Sequence, residues 1–69
     1  MTTDELVDEF ALVLKAHMRI RERQGKAGWD EPYWKRECLE KLKESAQNEE
    51  IFDTVGYAMF AYYHGWGEL

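Results

Sequence analysis

Residues 2–24 read TTDELVDEFALVLKAHMRIRERQ, and the reading of this stretch decides the fold. Thr2 followed by Glu5 has the spacing of a capping box, in which each side chain satisfies the other's backbone N–H at a helix start. Leu6, Phe10, Val13, Leu14 and His17 then recur at helical intervals, with Val7, Ala11 and Met18 widening the stripe. The pattern predicts a helix over about residues 3–24. The segment Gln24-Gly25-Lys26-Ala27-Gly28 should end it, because two close glycines favour turns over helix.

Working outward, Asp30 is the expected cap of a second helix over about 31–47, with Pro32 in its first turn. Trp34, Cys38, Leu42 and Ala46 form its apolar stripe, supported by Leu39. Asn48 is the expected cap of a third helix over about 49–64, with Glu49 and Glu50 against the positive end of its dipole. Ile51, Val55, Met59 and Tyr62 line one side, and Phe52, Gly56, Phe60 and Tyr63 extend the apolar surface. Gly56 in mid-helix predicts close helix approach or room for a ligand, since glycine there costs about 1 kcal/mol relative to alanine. Gly65 ends the helix. The expected fold is all-α, a small three-helix bundle forming one domain over residues 1–69.

A chain of 69 residues buries only roughly 60% of its unfolded surface, so its core is marginal. Disulfides, a metal or self-association are the usual remedies, and a single cysteine, Cys38, excludes an internal disulfide. Ten aromatic residues are more than one thin core can enclose, so some should face a partner subunit or a ligand. The third helix is apolar on nearly every side beyond Asp53, which also points to enclosure by a second subunit. A homo-oligomer is therefore expected. The lone cysteine and the absence of a signal segment or long apolar run predict a cytoplasmic protein with no membrane partner. Cys38 itself reads as core packing, because a reactive thiolate needs a base and an electropositive pocket.

The net charge of -5 is unevenly distributed. Residues 1–14 carry four acids and no base, whereas Lys15, Arg19, Arg21, Arg23 and Lys26 follow against Glu22 alone. A basic tract within an acidic chain does not suit general nucleic-acid binding, which needs positive charge along a continuous surface. It suits a small anion. Trp29, beside Lys26 and followed by Tyr33 and Trp34, can stack a base while Arg21, Arg23 and Lys26 hold phosphates. Equally, Trp29 and Trp34 can staple the loop onto the bundle, and the bases can balance acidic neighbours on a solvated face.

Carboxylates supply the other candidate site. Glu50 and Asp53, three residues apart, project from one helix face and can share a hard divalent cation. Glu37, Glu40 and Glu44 have similar spacing on the second helix, so two crossing helices could build a magnesium site. Against this, Glu37 can pair with Lys41 and Glu40 with Lys43, and the acids at 49, 50 and 53 complement the dipole without any metal. His17 on the apolar stripe reads as a hydrogen-bonded core histidine, and His64 as an exposed cation at a helix end. Neither histidine has zinc-ligand spacing, and Gly25 and Gly28 lack the strand that a phosphate loop requires before it.

Three stretches, Arg21-Glu22-Arg23-Gln24-Gly25-Lys26-Ala27-Gly28-Trp29, Cys38-Leu39-Glu40-Lys41-Leu42-Lys43-Glu44 and Glu50-Ile51-Phe52-Asp53-Thr54-Val55-Gly56-Tyr57-Ala58-Met59-Phe60, resemble the MazG-like nucleotide pyrophosphohydrolases. The nearest likeness is to their short phage versions, the dATP/dGTP diphosphohydrolase-like proteins, over roughly residues 17–65. The resemblance implies an all-helical oligomer that binds magnesium through an ExxE and an ExxD pair. The second pair corresponds to Glu50 and Asp53, whereas the first falls on Glu44 and Gln47, an amide in place of one carboxylate. An asparagine that often follows the aspartate by three residues is Gly56 here.

These departures imply a protein that recognises a nucleotide or a nucleotide-derived immune signal without efficient hydrolysis. The expected ligand residues are Arg21, Arg23, Lys26, Trp29, Trp34 and Tyr57. Two other classes stay open: a magnesium-dependent nucleoside triphosphate pyrophosphohydrolase using Glu44, Glu50 and Asp53, and an acidic inhibitor that occupies a host protein through its aromatic surface.

Overall fold

A computed structural model describes residues 1–67, so positions 68 and 69 of the expected domain lie outside the described residues. Three helices follow one another: α1 (Thr3–Arg23), α2 (Lys35–Gln47) and α3 (Ile51–His64). The described residues form no strand, and the fold is all-α. None of the described helices is long and apolar enough to cross a membrane.

The start of α1 follows the capping box. Glu5 N–H donates to Thr2 Oγ1 at 3.1 Å, and Thr2 N–H donates to Glu5 Oε1 at 3.0 Å. The Thr2 backbone N–H, and then the Thr2 hydroxyl, hold the Glu5 carboxyl below its usual range. All three helices end alike, with an N–H reaching back five residues: Lys26 to Arg21 O at 3.1 Å, Glu50 to Ser45 O at 2.9 Å and Trp66 to Ala61 O at 2.9 Å. The reversal needs a residue with positive φ, supplied by Gly25 and Gly65 after α1 and α3 but by Glu49 (φ 58) after α2.

Two expected helix starts move. α2 begins at Lys35 and not at 31, because the Trp34 indole N–H donates to Trp29 O at 2.9 Å and Glu31 N–H to Gly28 O at 3.1 Å. These bonds hold residues 28–34 as turns, so Asp30 caps nothing and Pro32 lies before the helix. α3 is preceded by Glu50 and not by Asn48, since Asn48 ends α2 and its N–H is spent on Glu44 O at 3.0 Å.

α2 and α3 form a close antiparallel pair. Cys38, wholly buried, aims its thiol at Tyr57 O at 3.5 Å, and burial raises its pKa, with Glu37 adding to the shift. Cys38 is thus the core residue expected from the sequence. Ser45 is also buried: its hydroxyl donates to Leu42 O at 3.0 Å and lies 3.0 Å from the Thr54 hydroxyl. Ala61 completes this small core.

α1 is held differently. It has no buried residue and makes no close approach to α2. Phe10 and His17 both stack on Phe52, with ring centroids at 5.2 and 5.5 Å, and Arg21 reaches Asp53. More than two turns of α1 therefore meet a single turn of α3, so α1 crosses the start of α3 and does not run along it.

Candidate functional site: a pocket between α1, the 24–34 loop and α3

Because α1 crosses α3, an open angle remains between the two helices, and the loop over residues 24–34 folds across it. A cavity of about 430 Å³ results, large enough for a small organic ligand. His17, Met18 and Arg21 of α1 form one wall, and Phe52, Asp53, Gly56, Tyr57 and Phe60 of α3 form the floor. Lys26, Trp29 and Tyr33 of the loop, with Trp34, Glu37 and Lys41 around α2, close the other side.

Asp53 is the electrostatic centre. Its Oδ1 accepts from Arg21 Nη2 at 2.5 Å and from His17 Nε2 at 3.2 Å. An ionised carboxylate only accepts, so His17 presents its Nε2–H tautomer or is protonated. Partial burial pushes the Asp53 carboxyl up, but Arg21 and then His17 outweigh it and hold the group below its ordinary range. His17 is thus the hydrogen-bonded stripe histidine expected from sequence, half-buried against Phe52.

The aromatic side is a staple as well as a wall. The Trp29 ring stacks on Phe60 at 5.4 Å and meets Tyr63 edge-on at 5.1 Å. Its carbonyl accepts from both the Trp34 indole and His64 Nε2, the latter at 2.7 Å. Trp34 in turn packs on Tyr57, Phe60 and Trp66. His64 is therefore not the exposed helix-end cation of the sequence reading, because it is half-buried, stacked on Trp66 at 4.0 Å and bonded to the loop. The staple reading of the tryptophans holds, and the same two rings also line the cavity.

Of the six expected ligand residues, Arg21, Lys26, Trp29, Trp34 and Tyr57 meet in this pocket. Arg23 does not line it and is exposed near the end of α1. Sequence reasoning missed Lys41 as a lining cation, having paired it with Glu37. Both line the pocket, and the ion pairs among the described residues are the two on Asp53. The signal was available, since Trp34, Glu37 and Lys41 fall three and four residues apart on one face.

The expected metal residues do not converge. Glu44 and Glu50 are exposed and outside the pocket, while Asp53 Oδ1 is engaged by Arg21 and His17. Among the described residues, no three His, Cys, Asp or Glu side chains are placed to hold a cation together. Three cations, Arg21, Lys26 and Lys41, share the lining with two carboxylates, Glu37 and Asp53, and six aromatic side chains, so positive charge lies beside flat apolar surface. Comparison of the chain with protein-family models, curated proteins and solved structures returns no match.

Proposed function

We propose that this chain binds a nucleotide or a nucleotide-derived small molecule in the α1–loop–α3 pocket, and holds it without hydrolysing it. The observation that carries the reading is the meeting of Arg21, Lys26 and Lys41 with an aromatic wall in one cavity of about 430 Å³. A base has a π-face that stacks on tryptophan or tyrosine, worth roughly 1–3 kcal/mol, and phosphate oxygens accept from lysine and arginine. The surplus of one positive charge favours an anion over a neutral ring compound. Holding without turnover is supported by Asp53, whose carboxylate is committed to Arg21 and His17.

The test is thermal unfolding of the purified chain with a panel of nucleotides and cyclic dinucleotides, each with magnesium or with EDTA, followed by calorimetric titration of any hit. A ligand-specific rise in midpoint that survives EDTA is expected, and Lys26→Ala and Lys41→Ala should each weaken binding by about tenfold. A rise that needs magnesium, with pyrophosphate released, would replace this reading with the hydrolase. No rise with any ligand would leave the pocket without a nucleotide role.

A further inference from the structure

We propose that a second copy of this chain packs on α1, antiparallel and about a two-fold axis at Val13, so that Leu6 of one protomer meets the partner's Ile20. The chain exposes 5700 Å², whereas a folded monomer of 8.2 kDa is expected to expose about 4,500 Å². The surplus is roughly 1,200 Å² per chain, or about 2,400 Å² for a pair, which is what an obligate homodimer interface removes from water. The radius of gyration agrees, at 12.7 Å against about 11 Å for a compact domain of this length.

Part of the unburied apolar surface forms a regular stripe along α1. Leu6, Val13 and Ile20 are 53, 48 and 51% exposed and lie seven residues apart, the spacing of a seam between two helices. Phe10, Met18 and Arg21 turn toward α3 and the pocket, which leaves this stripe uncovered. The register follows from symmetry: an antiparallel pair centred on Val13 sets Leu6 against the partner's Ile20 at both ends.

Charge sets the direction. Asp4, Glu5, Asp8 and Glu9 occupy the first half of α1, and Lys15, Arg19 and Arg23 the second. A parallel pair would bring like charges together along its length, while the antiparallel pair sets the acidic half of each helix beside the basic half of the other. The pocket stays open, since the partner covers the stripe and not the face carrying Met18 and Arg21.

Sedimentation equilibrium on the full chain, with single-cysteine cross-linking, tests this. A mass near twice 8.2 kDa is expected at tens of micromolar. Val13→Glu should reduce it to the monomer mass, with circular dichroism reporting whether its helices persist. Under mild oxidation, Val13→Cys should cross-link readily, because the two positions face each other across the axis. Leu6→Cys should not, since its two copies lie about 21 Å apart in the antiparallel pair, beyond disulfide reach. Wild-type chain is the control, its Cys38 being fully buried. A monomer, a dimer that survives Val13→Glu but is lost in Tyr62→Glu, or cross-linking through Leu6→Cys would each overturn the proposal.

Discussion

The α2–α3 pair and α1 obey the same rules of sequence but reach different ends. α2 and α3 enclose Cys38, Ser45 and Ala61, and the Trp29–Trp34–Phe60 cluster locks the preceding loop onto them. α1 is the longest helix, has the best cap and buries no residue. The difference teaches that capping and periodicity make a helix, while coverage of its apolar face depends on what crosses it and at what angle. A helix that crosses its neighbour leaves surface at both ends of the contact. In this chain one part of that geometry opens a pocket, and another leaves the Leu6–Val13–Ile20 stripe exposed.

The largest effect should come from breaking the packed half. Trp34→Ala removes the indole donor to Trp29 O and the contacts with Tyr57, Phe60 and Trp66. Because Trp34 is half-buried, the loss should be about 2–3 kcal/mol in urea unfolding, below the range for a fully buried tryptophan. In so small a domain that loss is enough to populate unfolded chain at room temperature. Leu12→Gln on α1, at 69% exposure, should change stability by less than about 0.5 kcal/mol at the same protein concentration. Equal losses in the two variants would abolish the distinction between the halves.

The second effect lies at the joint between them. Asp53→Asn keeps the shape but removes the charge that ties Arg21 and His17 of α1 to α3, for a loss of about 1 kcal/mol near neutral pH. The sign of the pH dependence follows from the lowered Asp53 pKa. The ionised folded form is favoured, so its contribution is fully present above the ordinary carboxylate pKa of about 4 and fades as pH falls through the lower folded value. The wild-type minus variant difference should therefore shrink as pH is lowered below about 4. A difference that grows as pH falls below about 4 would mean that Asp53 is not held as an anion. Subtracting the variant also removes the contribution of Glu5, whose carboxyl is likewise held down in both proteins.

Legibility followed the same division. The first helix was readable because its cap is local, Thr2 with Glu5, and its stripe needs no tertiary information. The start of α2 was not, because the bond from Trp34 to Trp29 O and the packing of Trp34 on Phe60 and Trp66 depend on where α3 comes to rest. The same holds for Asn48, a good cap by residue type whose backbone N–H is used to close α2. In the site, Arg21, Lys26, Trp29, Trp34 and Tyr57 were legible as charge beside aromatic surface. Arg23, two residues from Arg21 on the helix, turns away from the pocket, and the engagement of Asp53 by two cations from α1 depends on the crossing angle. Periodicity gives the faces of helices but not which turns of two helices meet.

The smallest predicted effect is a gain, at a place where the α1 side chains come close to the α3 backbone. Gly56 is buried, and a Cβ there would lie 3.4 Å from Met18 Sδ and 3.8 Å from its Cε. Both are ordinary contacts with the flexible end of a side chain, so the close approach expected from sequence does not demand glycine. Gly56→Ala should then recover part of the helix propensity that glycine forfeits, raising stability by about 0.5–1 kcal/mol. The added methyl enters the floor of the pocket. A stabilised variant with weakened ligand binding would mean that glycine is kept for the ligand's room. A destabilised one would mean that Met18 cannot move and that α1 is pressed onto α3 more firmly than its exposure suggests, which chemical unfolding of the two proteins side by side would reveal.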